Sequence, residues 1–184
     1  MEAGAIVRAE ITEAPIDVGG VLADVAHDAH GAAILFLGVV RDHNEGRPVD
    51  GIHYEAYRDM AEAELRRIAR DCLLGDAPAA RDDAGAAAAD ADGAAADPDA
   101  AAPPTADVAH VLGARVSLVH RTGDLAVGDV SLAVAVSTAH RADAYALSRA
   151  ILEALKQRLP VWKKERYADG DTAWLEGSTP EPAA

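Results

Sequence analysis

Apolar residues recur along this chain with two different periods, and the changes from one to the other mark the elements. Ala5 to Ile11 (AIVRAEI) reads as a first strand, and Pro15 to His27 as a helix opened by proline near its first turn. Gly31 to Arg41 (GAAILFLGVVR) is an unbroken apolar run, which predicts a buried strand closed by the polar turn DHNEG. Gly51 to Tyr57 follows as its partner strand. From Arg58 to Leu73 the spacing changes to helical, with Met60, Leu65, Ile68 and Cys72 on one stripe. Ala114 to His120 and Val130 to Thr138 are two further strands, joined by the two-glycine stretch RTGDLAVGD. In the second, Val130, Leu132, Val134 and Val136 alternate with small residues. His140 to Leu159 is the longest helix, with Leu147, Ile151 and Leu155 as its stripe and Pro160 as its stop. Val161 to Tyr167 and Thr172 to Leu175 close the chain as short strands. The order predicts one mixed α+β domain without internal repeats.

One stretch breaks the pattern. Gly75 to Asp107 spans 33 residues and holds 16 Ala, eight Asp, four Pro and three Gly, with no large apolar side chain. Such a composition has nothing to bury and predicts a disordered acidic insertion that replaces a short connection. Closure entropy grows only logarithmically with loop length, so the insertion is cheap. The domain is then expected over 1–74 and 108–177, with 178–184 as a frayed tail.

Composition narrows the function classes. A chain of 184 residues has room for a real core, but with a single Phe that core is built from Val, Leu, Ile and Ala. The lone Cys72 forms no internal disulfide and excludes a multi-cysteine metal site. No apolar run approaches the roughly 20 residues needed to span a bilayer. The first residues lack a basic start followed by a long apolar stretch, so no signal peptide is expected and the location is cytosolic. A net charge of −14 argues against a general nucleic-acid binder. Abundant Asp and Ala with few Lys suit either a high-salt cytoplasm or a GC-rich genome.

Against that acidity, every lysine of the chain (Lys156, Lys163 and Lys164) falls within nine residues, while the other 14 cations are arginines. Leu155 to Arg166 (LKQRLPVWKKER) holds five cations and one acid, a local charge of +4. Clustered lysines repel one another, so the pattern points to an anion that comes to meet them. The competing reading is a basic helix end complementing the helix dipole.

Four stretches carry a more specific signal: FLGVVRDHNEG (36–46), HYEAYRDMAEAEL (53–65), VHRTGDLAVGDVSLAVAVSTAHR (119–141) and LKQRLPVWKKE (155–165). Together, in this order and with the two lysines seven apart, they resemble the catalytic large subunit of molybdopterin synthase, the MoaE family. The similarity runs from about Ile6 to Leu175, broken only by the acidic stretch. It implies an α/β hammerhead-type fold with an antiparallel sheet and a central homodimer. It also implies a small ubiquitin-like partner at each end, making a heterotetramer. The partner inserts a C-terminal Gly-Gly thiocarboxylate, and two sulfur transfers convert a cyclic pyranopterin monophosphate into the dithiolene of molybdopterin. No cofactor, metal, nucleic acid or membrane is implied.

The same resemblance carries roles onto residues. Lys156 and Lys163 match the two catalytic lysines, and Arg41, His140 and Arg141 match anion-binding positions. Lys164 and Glu165 complete a binding triplet with Lys163. The chemistry is consistent: substrate and donor are both anionic, Arg forks onto phosphate oxygens, and Lys brings mobile charge and an exchangeable proton. Neighbours on a strand face opposite ways, so Lys163 is expected to point toward the substrate and Lys164 away. One departure is that nothing after Arg166 is basic, whereas relatives place a cation in that tail.

Duller readings compete with these. Arg41 also suits solvation of a strand end, Lys156 suits snorkelling beside the apolar stripe, His120-Arg121 suits turn-holding, and His27 and His30 suit surface exposure. A cation at a helix start opposes the dipole, which weakens a purely structural reading of His140-Arg141. Helix geometry adds one inference. His140 and Lys156 are 16 residues apart, hence roughly 24 Å along one helix. A pterin does not bridge that span, so either the two pairs serve different ends of the bound molecules or one site draws them from two subunits, and the second reading is favoured. The second function class is a non-catalytic binding partner or acceptor of a ubiquitin-like protein.

Overall fold

A computed structural model describes residues 4–75 and 113–175; the acidic stretch expected over 75–107 lies outside them apart from Gly75, as does the 178–184 tail. In chain order the elements are β1 (Ala5–Thr12), α1 (Val18–Asp24), β2 (Ala32–Val39), β3 (His43–Asn44), β4 (Arg47–Ala56) and α2 (Arg58–Leu74). Then come β5 (Arg115–Arg121), β6 (Gly123–Ala126), β7 (Val130–Thr138), α3 (Arg141–Arg158), β8 (Val161–Tyr167) and β9 (Thr172–Leu175). The strands form two sheets. The first has the order β1-β5-β7-β2, and the second β3-β4-β8-β9 with β6 added to β4. All pairs are antiparallel except β1 with β5.

The first sheet is covered on both faces. Val116, Leu118, Val134 and Val136 pack against α2 and α3 through Leu65, Ile68, Leu147, Ile151 and Leu155. On the other face, Val119, Ala133 and Ala135 receive Val21 and Val25 around α1. The small residues that alternate with valine in β7 therefore do not face water. They leave room for a helix on the second face.

Four sequence expectations change. The first helix begins at Val18 rather than Pro15, because Asp17 caps it by accepting from the Gly20 amide at 3.0 Å. The expected turn at DHNEG contains a hairpin, with Asn44 paired to Arg47 across Glu45 (φ 50°) and Gly46 (φ 76°). Two successive positive φ values match the tight turn that suits strand twist. The expected link RTGDLAVGD likewise contains β6, which pairs Leu125 with Ile52. The largest difference concerns β2. It was expected to be buried, yet it is an edge strand with Phe36 40% and Val39 48% exposed. An unbroken apolar run reports that a strand is to be covered, without saying by what.

Polar ties orient α1 on this frame. Asp24 accepts from Arg8 at 2.9 Å and from the Ser117 hydroxyl at 2.8 Å, while Arg115 donates to its carbonyl. At the other end of β5, Arg121 reaches Asp129 at 3.1 Å and the Glu13 carbonyl, the turn-holding expected of it. His120 is 8% exposed, donates from Nδ1 to the Arg121 carbonyl, and packs its ring edge-on to Tyr54 at 5.2 Å.

Burial pushes the His120 pKa down from 6.5 to about 4, so the imidazole folds neutral. The unfolded state binds its proton first, so this contribution is complete above pH 6.5 and is lost as pH falls toward 4. The loss approaches about 3 kcal/mol for a shift of this size. Denaturant unfolding between pH 7 and pH 4 should therefore show a shallower pH dependence in His120→Gln than in the wild type. Parallel curves would remove His120 as the titrating group.

Candidate active site

The α3–β8 junction displays the lysines. α3 buries Leu147, Ile151, Ala154 and Leu155, which fixes its rotation and leaves Lys156 exposed in the last turn. Arg158, two residues on in the same basic stretch, is committed to α2: it meets Glu64 at 2.8 Å and Asp71 at 2.9 Å. Leu159 stays in the core, Pro160 prevents another helical turn, and the chain turns directly into β8. Among the described residues neither Lys156 nor Lys163 enters an ion pair, although most arginines do. Unbalanced positive charge is therefore left at this junction.

Strand alternation then separates Lys163 from Lys164. Lys163 pairs with Tyr54 on β4, and Lys164 with His53 on β4 and Trp174 on β9. Lys164 carries its ammonium over the Trp174 ring at 5.7 Å, on the outer face with His53, Asp124 and Arg166. Lys163 shares the opposite face with Glu165 and Tyr167, which turn into the molecule at 4% and 6% exposure. Among the described residues Glu165 meets no cation there. Its Oε2 accepts from Asn44 at 3.0 Å and from the Tyr167 hydroxyl at 2.8 Å. Hydrogen bonding to that carboxylate raises the Tyr167 pKa, and burial raises that of Tyr54.

The remaining candidates divide between the ends of the first sheet. β2 starts beside the end of β7, with Ala32 opposite Thr138, so His140 lies at the start of β2 and Arg41 beyond its far end. Nine residues of extended chain put roughly 30 Å between Ala32 and Arg41. After the short link at Ala139–His140, α3 packs back along β7, and its last turn returns toward the Arg41 end. One chain thus directs the α3 end that carries Lys156 toward the Arg41 end of the first sheet and leaves His140 and Arg141 about 24 Å from Lys156 along an uninterrupted helix. His140 occupies the N-cap without a side-chain capping bond, and both side chains are exposed. The His140 backbone is tied locally, its carbonyl accepting from Thr138 Oγ1 at 2.7 Å and from the Ala144 amide at 3.3 Å.

Sequence reasoning missed Asn44, Tyr54 and Tyr167. The odd positions of KKERY signal that Lys163, Glu165 and Tyr167 share a face. Nothing in the sequence signals that Asn44 reaches them. A groove of about 510 Å³ between β1 and α2, lined by Arg58, Glu62, Arg66 and Arg70 among others, holds none of the candidates. It lies along the edge of the first sheet opposite β2. Among the described residues, no group of three or more His, Cys, Asp or Glu is placed to hold a metal ion, and no helix is long and apolar enough to cross a membrane.

The model of the MoaE protein family matches residues 11–75 and 104–158. The chain belongs to the MoaE family. The interruption of the match coincides with the Ala/Asp-rich stretch. Molybdopterin synthase catalytic subunit 1 of Mycobacterium tuberculosis is 33% identical over 91% of this chain and 90% of its own length. The molybdopterin synthase catalytic subunit of Pyrococcus abyssi is 31% identical over 88% of this chain and 84% of its own. Among solved structures, molybdopterin synthase from Staphylococcus aureus superposes with a TM-score of 0.67 at 27% identity, covering 91% of this chain and 96% of that one. The complex of subunits 1 and 2 of the molybdopterin-converting factor from Helicobacter pylori shares the fold, with a TM-score of 0.60 at 15% identity over 93% and 92%. MoaE membership agrees with the resemblance carried by the four sequence stretches.

Proposed function

We propose that this chain is the catalytic subunit of molybdopterin synthase. In that role it converts cyclic pyranopterin monophosphate (precursor Z) to molybdopterin in molybdenum cofactor biosynthesis, in the cytoplasm. Sulfur comes from the thiocarboxylated C-terminus of a small ubiquitin-like subunit, in two transfers. The observation that carries this reading is the pair Lys156 and Lys163, free of carboxylate partners among the described residues and presented at one helix–strand junction of a MoaE-family chain. The M. tuberculosis and S. aureus relatives bear the name of that enzyme, and the H. pylori relative is a two-subunit complex.

In this reading the residues divide the work by charge and reach. Arg41 forks onto an oxyanion, and the exposed Lys156 ammonium gathers the two anionic reactants at one place. Lys163, backed by Tyr54 and Glu165, delivers a proton to an oxygen displaced by sulfur. Each transfer returns the donor terminus as a carboxylate, so one dithiolene consumes two donors. Lys164, on the outer face, contributes long-range charge, and Glu165 acts from within the sheet rather than by touching substrate.

His140 and Arg141 serve the same reaction from a second copy. The 24 Å helix span supports this, as does β2, whose exposed Phe36 and Val39 offer an uncovered edge to a homodimer. Two ubiquitin-like subunits on such a dimer make the heterotetramer. A non-catalytic acceptor of a ubiquitin-like protein would need the fold and the docking surface but not the lysine pair.

Lys156→Ala and Lys163→Ala should each lower single-turnover product formation by at least about a hundredfold, with Lys164→Ala losing about tenfold or less. Near-wild-type rates from Lys156→Ala or Lys163→Ala at unchanged thermal stability would favour the acceptor reading.

A His140→Ala/Arg141→Ala chain and a Lys156→Ala/Lys163→Ala chain should each be inactive alone. Unfolded and refolded together, they should recover about a quarter of wild-type sites, because half of random dimers are mixed and each mixed dimer has one complete site. No recovery, with mixed dimers verified by native mass spectrometry, would place each site within one chain.

The Ala/Asp-rich stretch is proposed to be dispensable for chemistry. Its described flanks support this, since Leu73 and Ala114 both lie against Gly4. Replacing 75–107 with a short Gly/Ser link should leave activity and melting temperature nearly unchanged. Loss of folding or of partner binding would give the stretch a function.

A further inference from the structure

Glu165 joins parts of the candidate site that no backbone bond connects. It sits on β8, and Asn44, which donates to it, sits on β3, three residues beyond Arg41. β3 and β8 are not neighbours in the second sheet, since β4 lies between them. The bond from Asn44 therefore spans β4 and ties the Arg41 arm to the strand that carries Lys163.

Tyr167 donates the second bond to the same oxygen, and its own position is fixed. Arg47 lies 3.7 Å over its ring and is held by Asp169 at 2.9 Å and Asp171 at 3.2 Å in the β8–β9 turn. The carboxylate in turn keeps the Tyr167 hydroxyl protonated as a donor by raising its pKa. Both donors are neutral, so the negative charge of Glu165 is oriented rather than cancelled, on the face of β8 that Lys163 shares. Two donors on one oxygen leave the carboxylate little rotational freedom.

We infer that Asn44 and Tyr167 are positioning residues for the proposed sulfur transfer: by clamping the Glu165 carboxylate they set Lys163 against Arg41. The inference rests on the functional reading above, and neither residue needs to touch substrate. Alignment of a proton donor with a bound anion matters most in the transition state, so loss of the clamp lowers the rate at saturation more than it weakens binding.

The test uses the full chain with its thiocarboxylated partner and cyclic pyranopterin monophosphate. Tyr167→Phe and Asn44→Ala should each lower the saturated single-turnover rate about tenfold, the loss expected for one hydrogen bond to a charged group. Pterin affinity should change less than about threefold, and the double variant should be little worse than either single one, since both act through one carboxylate. A second measurement needs no activity. With only three lysines, ¹³C-dimethylation yields three lysine signals. The Lys163 signal should move in both variants while that of Lys156 stays. Wild-type rates in both variants, or an unmoved Lys163 signal, would overturn the inference. If the wild-type chain itself makes no product, the functional reading falls, and the Lys163 signal alone decides the clamp.

Discussion

Burial of β7 on both faces is the constraint on which the other elements depend. Val134 and Val136 face α2 and α3, and Ala133 and Ala135 face α1. Large residues on one side and small ones on the other allow three helices to close on one strand without leaving voids. Because α3 must lay Leu147, Ile151 and Leu155 against this strand, its length and direction are set, and so is the point where β8 begins. The lysine pair inherits its place from that packing. A change at Ala133 or Ala135 would move α1, whereas a change at Val134 or Val136 would reach the candidate site through α3.

Charge is distributed to a purpose in this acidic chain. Most arginines are tied to carboxylates or carbonyls: Arg8 to Asp24, Arg121 to Asp129, Arg158 to Glu64 and Asp71. They orient elements against one another. The lysines differ. Lys164 lies over an aromatic ring, and Lys156 and Lys163 meet no acid among the described residues. The buried carboxylate on β8, Glu165, is held by two neutral donors rather than by a cation. Pairing Glu165 with a guanidinium would have cancelled the field that this arrangement leaves in place.

The two edges of the first sheet are treated in opposite ways. Along β1, Glu62 accepts from the Ile11 amide and Arg66 donates to the Ala9 carbonyl, so α2 side chains occupy the open backbone groups. Along β2, apolar Phe36 and Val39 stand exposed. An edge blunted by charge refuses another strand, and an apolar edge invites a cover. That contrast agrees with a molecule completed by a second copy on the β2 side.

Much of this was legible in the residues. Periodicity placed α2, α3, β5, β7 and β8 close to their observed limits, because a stripe such as Leu147, Ile151 and Leu155 is a local property of the sequence. The lysine cluster stood out by residue type alone, and strand alternation put Lys163 and Lys164 on opposite faces. The four family stretches pointed to the family, which composition could not. Other features depended on which segments meet in space. Polar turns hid β3 and β6, since two- and four-residue strands owe their existence to a partner rather than to their own pattern. The exposure of β2 depended on sheet order. The bond from Asn44 to Glu165 joins residues 121 apart, and no spacing rule reaches that far. Local pattern determined what each segment would form and which side chains it would offer. Only the tertiary structure decided which offers meet, because long-range contacts follow from how the layers close over a common core.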